Sequence, residues 1–106
     1  MGFFDFLRGP DINQGVREFR ETPGALLLDV RTPQEYDAGH IPGSQNVPLQ
    51  ILDTSGTMTA PKDTPVFAYC YSGSRSWQAV RMLTRMGYSR AKNIGGITAY
   101  TGETER

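Results

Sequence analysis

Two short apolar runs, Ala25-Leu26-Leu27-Leu28-Asp29-Val30 and Pro65-Val66-Phe67-Ala68-Tyr69, each lead almost at once into a helix start. This pairing narrows the fold more than any other feature of the chain. A run without polar alternation is what a strand covered on both faces requires. Strands that alternate with helices form a parallel sheet, because a parallel connection needs a crossover element. The sequence therefore predicts an α/β fold, a small, open, mainly parallel sheet of about five strands flanked by helices on both faces. A length of 106 residues allows one modest core. Residues 11–106 are expected to form that single domain, after a short N-terminal segment, residues 1–10.

The remaining elements follow from local signals. Asp11 caps a helix running to about Thr22, with Ile12, Val16 and Phe19 on one face, and Pro23-Gly24 ends it. Thr32-Pro33-Gln34-Glu35 combines a Thr cap, a proline at the first helical position and a glutamate three residues after the cap, and Gly39 stops that helix within about two turns. Ile41-Pro42-Gly43 forces a turn. Asn46–Leu49 is a brief strand only, since Pro48 has no N–H to give to a ladder. Residues 53–63 read as a loop preceded by a helical turn. A third helix is expected over Arg75–Met86, with Trp77, Val80 and Leu83 on its core face, Met82 and Met86 filling gaps, and Gly87 at its end. Ala91–Ile94 is the last strand, and Gly95-Gly96 opens a final turn or helix through Tyr100.

Composition removes several classes of function. Eleven basic and eleven acidic side chains cancel, so there is no electrostatic footprint for nucleic acid. One Cys and one His cannot supply a four-ligand zinc site, and a single Cys cannot close an internal disulfide. No metal and no cofactor are expected. The longest apolar runs fall far short of the roughly 20 residues of a membrane span. Met1–Leu7 is oily, but Asp5 interrupts it and no basic leading region precedes it, so it does not read as a signal peptide. Phe3, Phe6 and Leu7 are expected to share one face of a helical turn packed on the domain. The default location is cytoplasmic, and the chain is compatible with a monomer or a dimer.

The segment that carries chemistry is Val66-Phe67-Ala68-Tyr69-Cys70-Tyr71-Ser72-Gly73-Ser74-Arg75-Ser76. The carboxyl end of a parallel strand is where ligands bind in such sheets. Three effects converge there on the Cys70 sulfur. The start of the following helix favours an anion. Gly73 lets successive loop N–H groups, from Tyr71 through Ser72 and Ser74 to Arg75, turn inward as a nest. Arg75 adds a permanent cation suited to an oxyanion. Together they lower the thiol pKa and make a nucleophile.

Asp29-Val30-Arg31-Thr32-Pro33-Gln34-Glu35-Tyr36, followed by Gly39-His40-Ile41-Pro42-Gly43 through Pro48, resembles the signature of the rhodanese homology domain. Cys70–Ser76 is similar to the persulfide loop of that family, and Gly87-Tyr88 with Asn93–Ile97 to its closing motif. The blocks stand in the family's order and span about residues 25–100. Tyr100 stands where many members have a tryptophan. Four residues separate Cys70 from Arg75, one fewer than in the related phosphatases of the cell-division-cycle type, which sets a phosphatase or arsenate reductase third among the readings.

The resemblance implies a rhodanese-like fold and a single-domain sulfurtransferase without cofactor. Its implied donor is thiosulfate or a persulfide, its carrier a persulfide on Cys70, and its acceptor cyanide, a small thiol or a protein. Arg75 would neutralise departing sulfite, and Tyr71 and Ser72 would rim the pocket and tune substrate choice. With no second cysteine, the acceptor must come from outside the chain. The alternative class is a rhodanese-like interaction module in which Cys70 is incidental. Asp29 is a supporting candidate that either orients loop amides or makes a structural hydrogen bond. Arg31 is expected to pair with Glu35 or to add positive potential near the pocket, and His40 to stabilise its turn.

Overall fold

The computed structural model describes residues 9–106; the expected helical turn at Phe3, Phe6 and Leu7 lies outside them. Among the described residues three helices, α1 (Ile12–Glu21), α2 (Pro33–Ala38) and α3 (Ser74–Arg85), alternate with four strands, β1 (Leu26–Asp29), β2 (Gln45–Asn46), β3 (Val66–Cys70) and β4 (Ala91–Gly96). All pairings among these strands are parallel, in the order β2-β1-β3-β4. Among the described residues the sheet has four strands, where about five were expected. Beyond it, the described residues add only a lone antiparallel bridge, in which His40 and Glu105 exchange backbone hydrogen bonds of 2.8 and 2.9 Å.

The central strand β3 is buried along its whole length, as its uninterrupted apolar run requires. Its residues divide by period two. Val66 and Cys70 join Leu28, Val30, Leu52, Ala79, Leu83 and Tyr88 in the core beneath α3. Phe67 and Tyr69 face the other way, against Ile12 and Val16 of α1, with Leu27, Ile41 and Ile94. Helices thus cover both faces, and β3 delivers Cys70 to the carboxyl end of a fully enclosed strand.

Local signals account for the element ends. Asp11 caps α1 by accepting from the N–H groups of Asn13 and Gln14. Thr32 and Glu35 form a reciprocal capping box at α2. β2 is shorter than expected, because Pro48 turns the chain into a 3-10 turn at Leu49–Ile51. β4 is longer: a register shift opposite Ala68 and Tyr69 makes Ile94 the extra residue of a bulge, and pairing continues through Gly95 and Gly96.

One helix face departs from expectation. Trp77 is 56% exposed, and the buried face of α3 is Ser76, Ala79 and Leu83. Hydrogen bonds that draw Ser76 inward set the phase of the helix and rotate Trp77 out. Met82 and Met86 pack, partly buried, against the core beneath. No helix of the described residues is long and apolar enough to cross a membrane.

Candidate active site

Cys70 is the last residue of β3 and is fully buried. After it the chain turns through Tyr71, Ser72 and Gly73 into α3. Gly73 takes φ 108°, a left-handed conformation that strains any residue with a Cβ, and forms the N-cap of α3. Gly73 offers no side chain to cap the helix, and Cys70 Sγ stands in that place. The Gly73 N–H donates to Sγ at 3.0 Å, and Ser76 Oγ lies 3.4 Å away. Burial pushes the thiol pKa up. Hydrogen bonds from the Ser76 hydroxyl and from the N–H groups of Ser76, Gly73 and Arg75 outweigh burial, and the net shift is downward. The uncapped helix start and the turn therefore favour the thiolate.

Ser76 and Asn93 carry no role in the sequence reading. Ser76 Oγ lies 2.7 Å from Asn93 Oδ1 and 3.1 Å from the Gly73 carbonyl, besides its contact with sulfur. A hydroxyl has one hydrogen to give, so these acceptors compete for it. Asn93 Oδ1 also accepts from the Gly95 N–H at 2.9 Å. The bulge in β4 stands directly beside this network. The one signal for Ser76 in the sequence is its place in the first turn of the helix that begins beside Cys70.

Close approach of β4 supports the loop from the other side. A Cβ on Gly96 would lie 2.5 Å from Ser72 Cα and against the Tyr71 carbonyl, so only glycine leaves the loop its path. Tyr71, Ser72 and Ser74 are exposed at the rim.

Arg75 does not stand free over the sulfur. Its Nη1 and Nη2 donate to Glu35 Oε1 and Oε2 at 2.6 and 3.0 Å, joining the first turn of α3 to the first turn of α2. Through this pair and the capping box Glu35 is held at about 2, well below the usual carboxylate range, and the Arg75 pKa is raised. Five N–H donors on a guanidinium leave three for another partner.

The expected pairing of Arg31 with Glu35 is not formed. Asp29 and Arg31 instead make a buried pair: Arg31 Nε and Nη2 donate to the Asp29 carboxylate at 2.6–3.0 Å, as does the Arg31 backbone N–H at 3.0 Å. Nη2 also reaches the Gly39 carbonyl at 2.7 Å. Burial opposes the charge on Arg31, but the Asp29 carboxylate prevails and the Arg31 pKa rises. Asp29 thus meets Arg31, through its guanidinium and its backbone N–H, and not an amide of the Cys70 loop. His40 stacks on Tyr36 with ring centroids 3.7 Å apart, and its Nδ1 is 2.9 Å from the Tyr36 carbonyl, which ties it to the turn. Tyr69 pins the same turn from beneath, its hydroxyl accepting from the Ile41 N–H at 3.1 Å.

The family model for the Rhodanese-like domain matches residues 13–103, so the chain belongs to that family. It is 41% identical over 81 residues to a sulfurtransferase of Allochromatium vinosum, covering 76% of this chain and 75% of the relative. It is 37% identical over 71 residues to the thiosulfate sulfurtransferase PspE of Escherichia coli, covering 66% and 68%. Among solved structures, the human single-domain sulfurtransferase TSTD1 superposes with a TM-score of 0.73 at 26% identity, covering 82% of this chain and 89% of that one.

Proposed function

We infer that this chain is a rhodanese-type sulfurtransferase and that Cys70 carries the transferred sulfur as a persulfide. The observation that carries the reading is the position of Sγ, which takes the place of a side-chain cap at a helix start and receives the Gly73 N–H at 3.0 Å. With the thiolate favoured in this way, no general base is needed.

In the first half-reaction the Cys70 thiolate attacks the outer sulfur of thiosulfate. The new bond joins Sγ to that sulfur, the sulfur–sulfur bond of thiosulfate breaks, and its electron pair leaves on sulfite. Arg75 meets the departing oxyanion with the donors that Glu35 leaves unused, so its part is directional more than one of bare charge. In the second half-reaction an acceptor takes the outer sulfur. Cyanide leaves as thiocyanate and a thiolate leaves as a persulfide, while the electron pair returns to Cys70 Sγ. Between the two steps the loop amides and the Ser76 hydroxyl offset negative charge on sulfur. Since Cys70 is the only cysteine, the acceptor is external. A reducing compartment such as the cytoplasm keeps such a lone thiol available.

Thiocyanate release from thiosulfate and cyanide tests this reading. Turnover by the wild type and none by Cys70→Ser supports it; equal turnover by both proteins removes Cys70 from the reaction.

A further inference from the structure

On the solvent side of α3, Trp77, Val80, Arg81, Thr84 and Arg85 line a shallow groove of about 450 Å3. Positions 77, 81, 84 and 85 fall on one helical stripe, opposite the face that enters the core. Trp77, the only tryptophan of the chain, leaves more than half of its surface to water. Neither the fold nor the sulfur chemistry uses it. Trp and Arg are the residues that most often anchor protein interfaces.

Charge on this helix is segregated. α3 carries Arg75, Arg81 and Arg85 and no acidic residue, although the chain as a whole is neutral. Arg75 is held by Glu35, whereas Arg81 and Arg85 meet no carboxylate within 4 Å among the described residues. The stripe also begins at the site. The Trp77 N–H donates to the Gly73 carbonyl at 3.1 Å, and the Gly73 N–H is the donor to Cys70 Sγ.

We propose that this face docks an acidic protein that accepts sulfur from Cys70, laying an apolar side chain on Trp77 and carboxylates on Arg81 and Arg85. The proposal rests on the sulfur-transfer reading of Cys70. Other occupants fit the face less well. A second copy placed about a two-fold axis brings arginine against arginine. Two guanidiniums neutralise about two phosphates, too few to hold a nucleic-acid backbone at physiological salt. A bilayer needs a broad apolar face, and the apolar face of α3 is spent on the core. The transfer balances without an oxidant or reductant. The acceptor thiolate attacks the outer sulfur of the persulfide, the Cys70 sulfur–sulfur bond breaks, and its electron pair returns to Sγ.

The probes are two synthetic peptides, each with one cysteine beside a leucine, flanked in one by Asp and Glu and in the other by Lys. Versions with serine in place of cysteine are titrated against the emission of Trp77, which reads the groove without sulfur chemistry. Cysteine versions are mixed with protein preloaded from thiosulfate, and loss of the Cys70 persulfide is timed beside a cyanide control. The acidic serine peptide is expected to shift the emission to the blue and to bind at least about tenfold more tightly than the basic one. Arg81→Glu with Arg85→Glu removes that preference. The same pair of changes, and Trp77→Ala, slow transfer to the acidic peptide about tenfold while cyanide turnover stays within about twofold. Equal binding of both peptides, or preference for poly-uridylate or phosphatidylserine vesicles over the acidic peptide, overturns the proposal. Failure of thiosulfate to load Cys70 overturns the sulfur-transfer reading instead, and the serine-peptide titration separates the two.

Discussion

Glu35 and Arg75 stand 40 positions apart and meet in a two-bond ion pair of 2.6 and 3.0 Å. Glu35 Oε1 also accepts from the Thr32 N–H at 3.0 Å. One carboxylate therefore completes the cap of α2 and aims the arginine at the start of α3. Arg75, expected to act on the sulfur as a permanent cation, is paired with Glu35, and hydrogen bonds from the Ser76 hydroxyl and from backbone N–H groups hold the Cys70 pKa down.

The pair gives a pH signature of known sign. The pKa of Glu35 is lowered to about 2, so its contribution is fully present above the unfolded carboxyl value, about 4.3, and is lost as pH falls towards 2. Both side chains are about a third exposed, which limits the contribution to about 1 kcal/mol. Glu35→Gln is predicted to lower thermal stability by that order at pH 7 and to converge with the wild type near pH 2. A gap that stays constant down to pH 2 would argue against the assignment.

The ionisation of Cys70 is the second prediction. Its alkylation by iodoacetamide is expected to titrate below the usual thiol range, because donated hydrogen bonds outweigh burial. Ser76→Ala removes a donor and raises the midpoint. Arg75→Ala raises it less, since the Arg75 backbone N–H survives and its charge is already paired. A larger shift for Arg75→Ala than for Ser76→Ala would make the guanidinium charge, not the hydroxyl, the stronger influence on the sulfur.

Gly96 tests the close approach of β4 to the loop. Gly96→Ala puts a methyl group 2.5 Å from Ser72 Cα. Backbone must move, and an overpacking cost of about 1–3 kcal/mol is expected. Thiocyanate turnover should fall by at least about tenfold, while far-ultraviolet circular dichroism stays that of the wild type, because a small misplacement of catalytic groups is costly. Unchanged turnover would show that the loop tolerates the shift.

Asp29 and Arg31 make the structural counterpart. Removing one partner from a buried pair leaves an uncompensated charge, so Asp29→Ala is predicted to lower the unfolding free energy by about 3–5 kcal/mol in urea titration. The midpoint of Cys70 alkylation should not move in the folded variant. A stability loss below about 1 kcal/mol, or a shifted midpoint, would return Asp29 to the chemistry.

Local signals are legible in the sequence because short-range chemistry determines them. The Thr32–Glu35 capping box, the Asp11 cap and the enclosed runs at Leu26–Asp29 and Val66–Cys70 all depend on neighbours a few positions away. Trp77 defies its sequence pattern because hydropathy counts Ser76 as a surface residue, whereas bonds to Asn93 and the sulfur draw Ser76 inward and turn Trp77 out. The partner of Arg75 is hidden for a related reason. Arg31 is nearer to Glu35 in sequence, and only the packing of α2 beside α3 turns the glutamate to Arg75. Asn93 depends on a bulge in β4 that single-residue preferences do not encode.

Mass spectrometry of the intact protein after exposure to thiosulfate tests the central claim most directly. Cys70 is predicted to gain one sulfur atom, which cyanide or dithiothreitol removes and which Cys70→Ser does not acquire. Absence of the adduct in a protein whose Cys70 iodoacetamide labels readily would contradict the account.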